Sequence, residues 1–324
     1  DLMVCASHTH WGPVVSGGNY LPPALLATVS SEYRENLVET LAGLVAEAWQ
    51  GRVPAAMGCD TGFAEAITFN RRQVGPDLKA DMRLALDPPQ ARVASREGNR
   101  LARAWVRGQH KGPRLSAPLA ALGGNHVGPA DAEVIMLRLD RTDGRPLAGL
   151  VNFACHAVCG GGDLYHFSAD FPGQARPAFA ALTGAPLVFT AGCAGDQVPR
   201  WRGDGARERV GKSLAGEAAR LWLGLDDRTG EVPLRVVRET AYLPVSTTVP
   251  PLEAAQAALA AHPAPNSPQA VWERCQVDLA TMIAANPDGF PAEIWAMRLG
   301  DLAMVGLPGE ILTEIGLQIK QRSP

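Results

Sequence analysis

Seven residues near the start of the chain, Ser7-His8-Thr9-His10-Trp11-Gly12-Pro13, hold its densest chemistry. Two imidazoles one residue apart at the end of an apolar run can bind a metal ion, or act as a ligand beside a base. The preceding Leu2-Met3-Val4-Cys5-Ala6 reads as a buried strand, ended by Gly12-Pro13. Strand side chains alternate faces, so His8 and His10 are expected on one side, roughly 7 Å apart. A second apolar run, Leu150 to Cys155, ends in His156, and a third, Leu302 to Leu307, ends in Pro308-Gly309-Glu310. His8, His156 and Glu310 together match the donor set of a hydrolytic zinc site, with three protein ligands and a position left open for water. Such water ionises near neutrality while the metal polarises a carbonyl. Plainer readings stand beside this one. His156 can be a core histidine bonded to a backbone carbonyl, and Glu310 suits a first helical turn, where the dipole favours a carboxylate.

Three further segments carry candidate groups. Asn70-Arg71-Arg72 offers guanidiniums that clamp a carboxylate or steady an oxyanion, or are simply solvated. Asp170, before an expected helix, either caps it or orients a ligand histidine. Thr190 to Arg200 is a strand followed by a small-residue loop, whose amides can approach a substrate closely and whose Asp196 can bind loop amides or move a proton. Cys193 in that loop has apolar flanks and no base nearby, which argues against a nucleophile.

The elements that must position these groups read as a mixture. A helix is expected from about Ala24 to Gln50, after a loop at Ser16-Gly17-Gly18 and Pro22-Pro23. Val53 to Phe69 is strand-like and interrupted, and Pro76 to Gly128 shows little periodicity and reads as an irregular insert. Asp143-Gly144 between two apolar runs predicts a hairpin that delivers His156 to a sheet edge. Helices are expected at Pro172–Leu182, Gly205–Leu225, Leu252–Ala261 and Gln269–Ala285, the last two joined by His262-Pro263-Ala264-Pro265-Asn266. Strands are expected at Pro186–Thr190 and Glu231–Pro244, and a second hairpin turns at Gly300-Asp301. The final helix is expected to run from Glu310 to Gln321. Strands that pair through hairpins and also alternate with helices predict an α/β fold of mixed sheets with helices outside, as one large catalytic domain.

With 324 residues, 46% apolar and 19% charged, the chain has the material for a sizeable core. A net charge of −3 without any basic cluster argues against nucleic acid as a partner. No apolar run reaches the roughly 18 residues of a transmembrane segment. The six cysteines are too sparse for a disulfide framework and read as buried free thiols. Both ends read as cuts within a longer protein, so neither compartment nor oligomeric state is legible.

Taken together, the segments resemble the catalytic domain of the neutral/alkaline, non-lysosomal ceramidase family. Ser7 to Pro13 is similar to the family's Ser-His-Thr-His-Ser-Gly-Pro, with Trp11 in place of serine. Asn70-Arg71, Asn152 to His156, Ser168-Ala169-Asp170, Gly195 to Arg200 and Pro308-Gly309-Glu310 follow in the family's order. The resemblance implies that His8, His156 and Glu310 ligate zinc, that His10 lies beside the reaction centre, and that Arg71 contacts the substrate or its oxyanion. It implies an amidohydrolase acting on an N-acyl bond of a small-molecule or lipid substrate such as ceramide, with His10 or Asp196 managing the proton. Family members are often secreted or extracytoplasmic. Val198 stands where the family has its serine, and the family's fourth zinc ligand, a tyrosine, is expected beyond residue 324. Those departures leave metal-activated water as the nucleophile, with a non-catalytic zinc-binding module as the alternative.

Overall fold

The Asp143-Gly144 turn organises the largest sheet. Gly144 takes φ 83°, a left-handed value that glycine adopts without strain, between strands Glu133–Arg141 and Pro146–Phe153. The computed structural model describes residues 2–15, 29–75, 80–82, 86–107, 126–160, 166–244, 249–262, 264 and 267–323. The two hairpin strands pair antiparallel, and Ala55–Phe63 adds antiparallel to the first of them. Leu187–Ala191 adds to the other edge in parallel. A parallel neighbour needs a crossover, and helix Asp170–Thr183 supplies it. Alternate strand residues Val134, Met136, Val151 and Phe153 pack with residues of that helix and of Ala206–Gly224, where Phe179 meets Trp222 edge to face.

This topology creates a place for ligands. In open α/β sheets ligands bind beyond the carboxyl ends of parallel strands, because two loops diverge there. His156 lies three residues past Phe153, and residues 192–196 follow Ala191 on the neighbouring strand. A short antiparallel pair, Thr68–Asn70 with Gln197–Pro199, sets Asn70 opposite Gln197. Helix Pro88–Val106 packs Ala102 and Trp105 against Leu317 of the last helix, Thr313–Arg322.

By its contacts the chain divides into two compact units. The first comprises Asp1–Gly12, Pro54–Arg235 and Arg298–Pro324, and contains all the elements just described. The second comprises Pro13–Val53 and Val236–Met297. Its helix Ser31–Gln50 is capped by Ser30, whose hydroxyl accepts from Tyr33 N, and helices Leu252–Ala260 and Pro268–Ala285 pack on each other. Strand Leu234–Leu243 pairs with Phe290–Leu299, and Gly300 takes φ 59° at the expected Gly300-Asp301 turn.

Several expectations are corrected. Leu2 to Ala6 is not a buried strand: Leu2 and Val4 are 57% and 77% exposed, and Thr9 alone in residues 2–15 pairs, in one parallel bridge to Ala157. An apolar run without a partner strand has no ladder to join. The stretch read as an irregular insert contains helix Pro88–Val106, begun by Pro88 and buried through Ala91, Ala94, Leu101, Ala102 and Trp105. The final helix begins at Thr313 rather than Glu310, because Gly309 at φ 92° breaks the backbone and the Asp196 carboxylate accepts from Thr313 N. The loop at 16–23, residues 24–28 of the first expected helix, residues 108–125 and most of the 263–266 linker lie outside the described residues. No helix among the described residues is long and apolar enough to cross a membrane. All six cysteines are free, but only Cys155 and Cys159 are buried as expected, whereas Cys5 and Cys59 are exposed.

Candidate metal centre

His8, His10 and His156 converge, with a ring nitrogen of each lying within 4.8 Å of the others. The segment that brings the first two is stitched down residue by residue. His10 N donates to Ala157 O at 3.4 Å, Thr9 Oγ1 to Ser168 O at 2.7 Å, and Ser168 N to Trp11 O at 3.0 Å. His8 adopts φ 59°, a left-handed backbone that costs a non-glycine residue roughly 1–2 kcal/mol. That kink replaces the expected strand alternation and brings His8 Nε2 to 3.2 Å from His10 Nε2.

His156 is fixed by its backbone surroundings. Its Nδ1 faces Ala194 O at 2.5 Å and Gln197 O at 3.1 Å, and its amide donates to Gln197 O at 3.0 Å. Carbonyl oxygens only accept, so Nδ1 carries the hydrogen and Nε2 is left with a bare lone pair. That Nε2 is buried and without a hydrogen-bond partner, on a residue 2% exposed. An orphaned imidazole nitrogen aimed into a histidine cluster is what a metal ligand with an anchored second nitrogen looks like.

Glu310 closes the group. Its Oε1 is 3.6 Å from His8 Nε2 and its Oε2 is 3.3 Å from His156 Nε2. Ligand atoms on a tetrahedral zinc at about 2.0–2.1 Å stand roughly 3.3–3.4 Å apart. The His156–Glu310 and His8–Glu310 separations of 3.3 and 3.6 Å are close to that spacing, so these residues fit a zinc ion. At 56% exposed, Glu310 lies on the open side of the cluster.

Surroundings disfavour the charged form of two of the imidazoles, His10 and His156. Burial first, then His8, Arg71 and Arg202, hold His10 below the usual histidine value, against the opposing pull of Glu310. Burial, Arg71 and His8 do the same for His156. Neutral imidazoles are the form that binds metal. Arg71 follows strand Thr68–Asn70, donates through Nη2 to Gly195 O at 2.7 Å, and stands 3.9 Å from Glu310 Oε2.

Asp196 is placed differently from the other predicted residues. Its carboxylate is fully buried, accepting from Thr313 N, Thr313 Oγ1 and Asn70 Nδ2 at 2.8, 2.6 and 2.9 Å. It braces the loop that orients His156, instead of facing the cluster. Among the described residues no histidine bonds Asp170, and the residue that precedes the helix as its cap is Ala169. The Asp170 carboxylate takes Cys159 N, Gly160 N and Phe171 N, fastening the segment that leaves His156 to the helix start. Burial raises the Cys193 thiol, so that it stays protonated. Sequence reasoning missed Gln197, whose buried amide joins Ala154 O, Asp131 and Thr313 Oγ1, and the carbonyl of Ala194. A carbonyl is common to every residue type and leaves no signal in the sequence.

Neither a family model nor a curated protein sequence matches the chain. Among solved structures it is similar to the neutral ceramidase of Pseudomonas aeruginosa, with a TM-score of 0.57 and 15% identity, covering 97% of this chain and 50% of that one. It is similar also to a ceramidase complexed with C2, with a TM-score of 0.57 and 13% identity, covering 97% of this chain and 51% of the other. The chain spans about half the length of the structures it matches. In its fold, this α/β chain is neutral ceramidase-like.

Proposed function

We propose that the chain forms the centre of a zinc-dependent hydrolase that cleaves an amide bond, in ceramide or a related N-acyl compound, with His8, His156 and Glu310 holding the ion. One observation carries the reading: the buried, unpartnered Nε2 of His156, locked by two carbonyls and aimed at His8, His10 and Glu310. Zinc in such a site supplies Lewis acidity, polarising the scissile carbonyl and acidifying water. His10 accepts a proton at Nε2, the nitrogen turned toward the cluster, and returns it to the leaving nitrogen. Arg71 presents its guanidinium to the developing oxyanion, anchored by Gly195 O so that little reorganisation is needed. Asp196 holds the loop in register and takes no proton. The choice of an amide substrate is supported by the likeness in fold to ceramidases.

Zinc content by mass spectrometry, with turnover of a panel of N-acyl substrates, tests this. His156→Ala and Glu310→Gln are expected to lose zinc, and His10→Gln to keep zinc while losing turnover. Full zinc retention in His156→Ala refutes the centre. A second reading, a zinc-binding module without catalysis, is favoured by Val198, which is fully buried and has no hydroxyl. Full zinc occupancy without turnover of any amide would establish it.

A further inference from the structure

Two loops carry the proposed ligands, and they meet through their backbones. The loop of residues 192–196 supplies the Ala194 carbonyl that holds His156, and the stretch before helix Thr313–Arg322 supplies Glu310. Their contact is at Gly195. Gly195 N donates to Ile311 O at 2.8 Å, and Gly195 O accepts from Arg71 Nη2 at 2.7 Å. A methyl group on residue 195 would stand 2.6 Å from Glu310 O and 3.0 Å from both Glu310 C and Ile311 O. Non-bonded atoms rest about 3.5–4.0 Å from a carbon, so such a group overlaps the Glu310 peptide. All three atoms belong to the backbone, and no side chain can turn aside to make room. Gly195 is not among the described glycines of left-handed φ, so the position demands space and not a special backbone conformation.

We infer that Gly195 is a positioning residue: its missing side chain lets the Glu310 backbone approach the loop behind His156, and that approach sets the 3.3 Å separation of Glu310 Oε2 from His156 Nε2. The Glu310 side chain is 56% exposed, so it is located from its backbone and not by packing around the carboxylate. A side chain at residue 195 forces one of the two loops to yield. Movement of the Glu310 loop draws the carboxylate away from the imidazole, and movement of the other loop shifts the Ala194 carbonyl that orients His156. Metal–ligand distances hold to within about 0.2 Å, so either movement spoils the ligand set. This rests on the metal-centre reading above and adds the residue that sets its geometry.

Gly195→Ala, Glu310→Asp and Gly98→Ala are compared with the wild-type chain. Gly98→Ala is the control for crowding, since a methyl group there would stand 2.8 Å from Ala130 Cβ, which takes no part in the cluster. Zinc affinity is measured by competition against a chelator, and coordination by the visible spectrum of the cobalt(II) form. Gly195→Ala is expected to bind zinc about ten- to a hundredfold more weakly and to change the cobalt spectrum. Gly98→Ala is expected to lose stability and keep both. Glu310→Asp leaves residue 195 untouched and shortens the carboxylate by one methylene. With the backbone held, it is expected to lose about tenfold in zinc affinity, and this exposed site gives the answer even where Gly195→Ala does not fold. Wild-type affinity and spectrum in folded Gly195→Ala overturn the inference. Wild-type affinity in Glu310→Asp overturns it too, because the backbone has then followed the shorter side chain, and so does an equal loss in Gly98→Ala. Crystal structures of the metal-free wild type and Gly195→Ala separate this inference from the zinc reading. A wild-type chain that binds no zinc ends the proposed centre; the role of Gly195 then stands if the His156–Glu310 separation widens in Gly195→Ala, and falls if it does not.

Discussion

Asp196→Asn separates the role of a brace from that of a proton carrier. One oxygen of Asp196 accepts from Thr313 N and Oγ1, and the other accepts from Asn70 Nδ2 with Arg72 Nε 3.8 Å away. Asparagine has a single oxygen, so in either orientation its NH2 group faces donors. The substitution loses at least one charge-assisted bond and strands a buried donor, a cost of about 3–4 kcal/mol. Total stability of a domain is about 5–15 kcal/mol, so the melting point should fall by on the order of 10 °C.

The damage should reach the proposed metal centre. The Asp196 carboxylate supplies the partner for the first amide of the last helix, and its loop carries the Ala194 carbonyl that orients His156. Loss of such an outer support weakens metal binding by about ten- to a hundredfold. Denaturation of the metal-free protein and zinc competition against a chelator measure the two effects separately. Wild-type stability in Asp196→Asn, combined with loss of one limb of the pH–rate profile, would refute the brace and return Asp196 to proton transfer.

Two further outcomes follow from buried groups. Val198 faces Phe69 across the short strand pair, within a cluster that includes Ala91, Leu101, Val127 and Val158. Val198→Ser should therefore cost about 2–3 kcal/mol as a buried hydroxyl and create no new turnover. Labelling of the introduced hydroxyl by an acylating reagent, with a gain in hydrolysis, would contradict this. Lys320 Nζ lies 2.6 Å from Asp131 and 2.5 Å from Glu133, and these carboxylates outweigh burial and raise its pKa. The stability it contributes is complete below its unfolded value of about pH 10.4 and is lost as pH rises through the higher folded value. Lys320→Met should cost about 2 kcal/mol at neutral pH, less than a fully buried pair because the side chain is 26% exposed, and should flatten that alkaline loss in denaturation curves.

What was legible in the sequence was what adjacent residues decide. Asp143-Gly144 specifies a hairpin because only its neighbours matter, and His156 follows from where the second strand ends. Helix Pro88–Val106 was hidden because its buried face is built largely of alanine, with Arg and Gly between, so its period is carried by charge opposite small residues and no run of large apolar side chains announces it, although Asp87-Pro88 marks its start. Glu310 was found for one reason and placed for another. The sequence suggested a helix start, whereas the structure leaves it in a loop, and only release from helical geometry lets one carboxylate meet His8 and His156 together. The same logic explains Asp196 and Val198. In a strand, neighbouring residues face opposite ways, so the phase of Gln197–Pro199 commits Val198 to the apolar cluster and Gln197 to the buried bonds behind His156. That phase is set by pairing with Thr68–Asn70, more than a hundred residues away in sequence, and nothing local to either segment encodes it. A hydroxyl at 198 in this register would face the core, which is why the proposed proton transfer is assigned to the imidazole of His10.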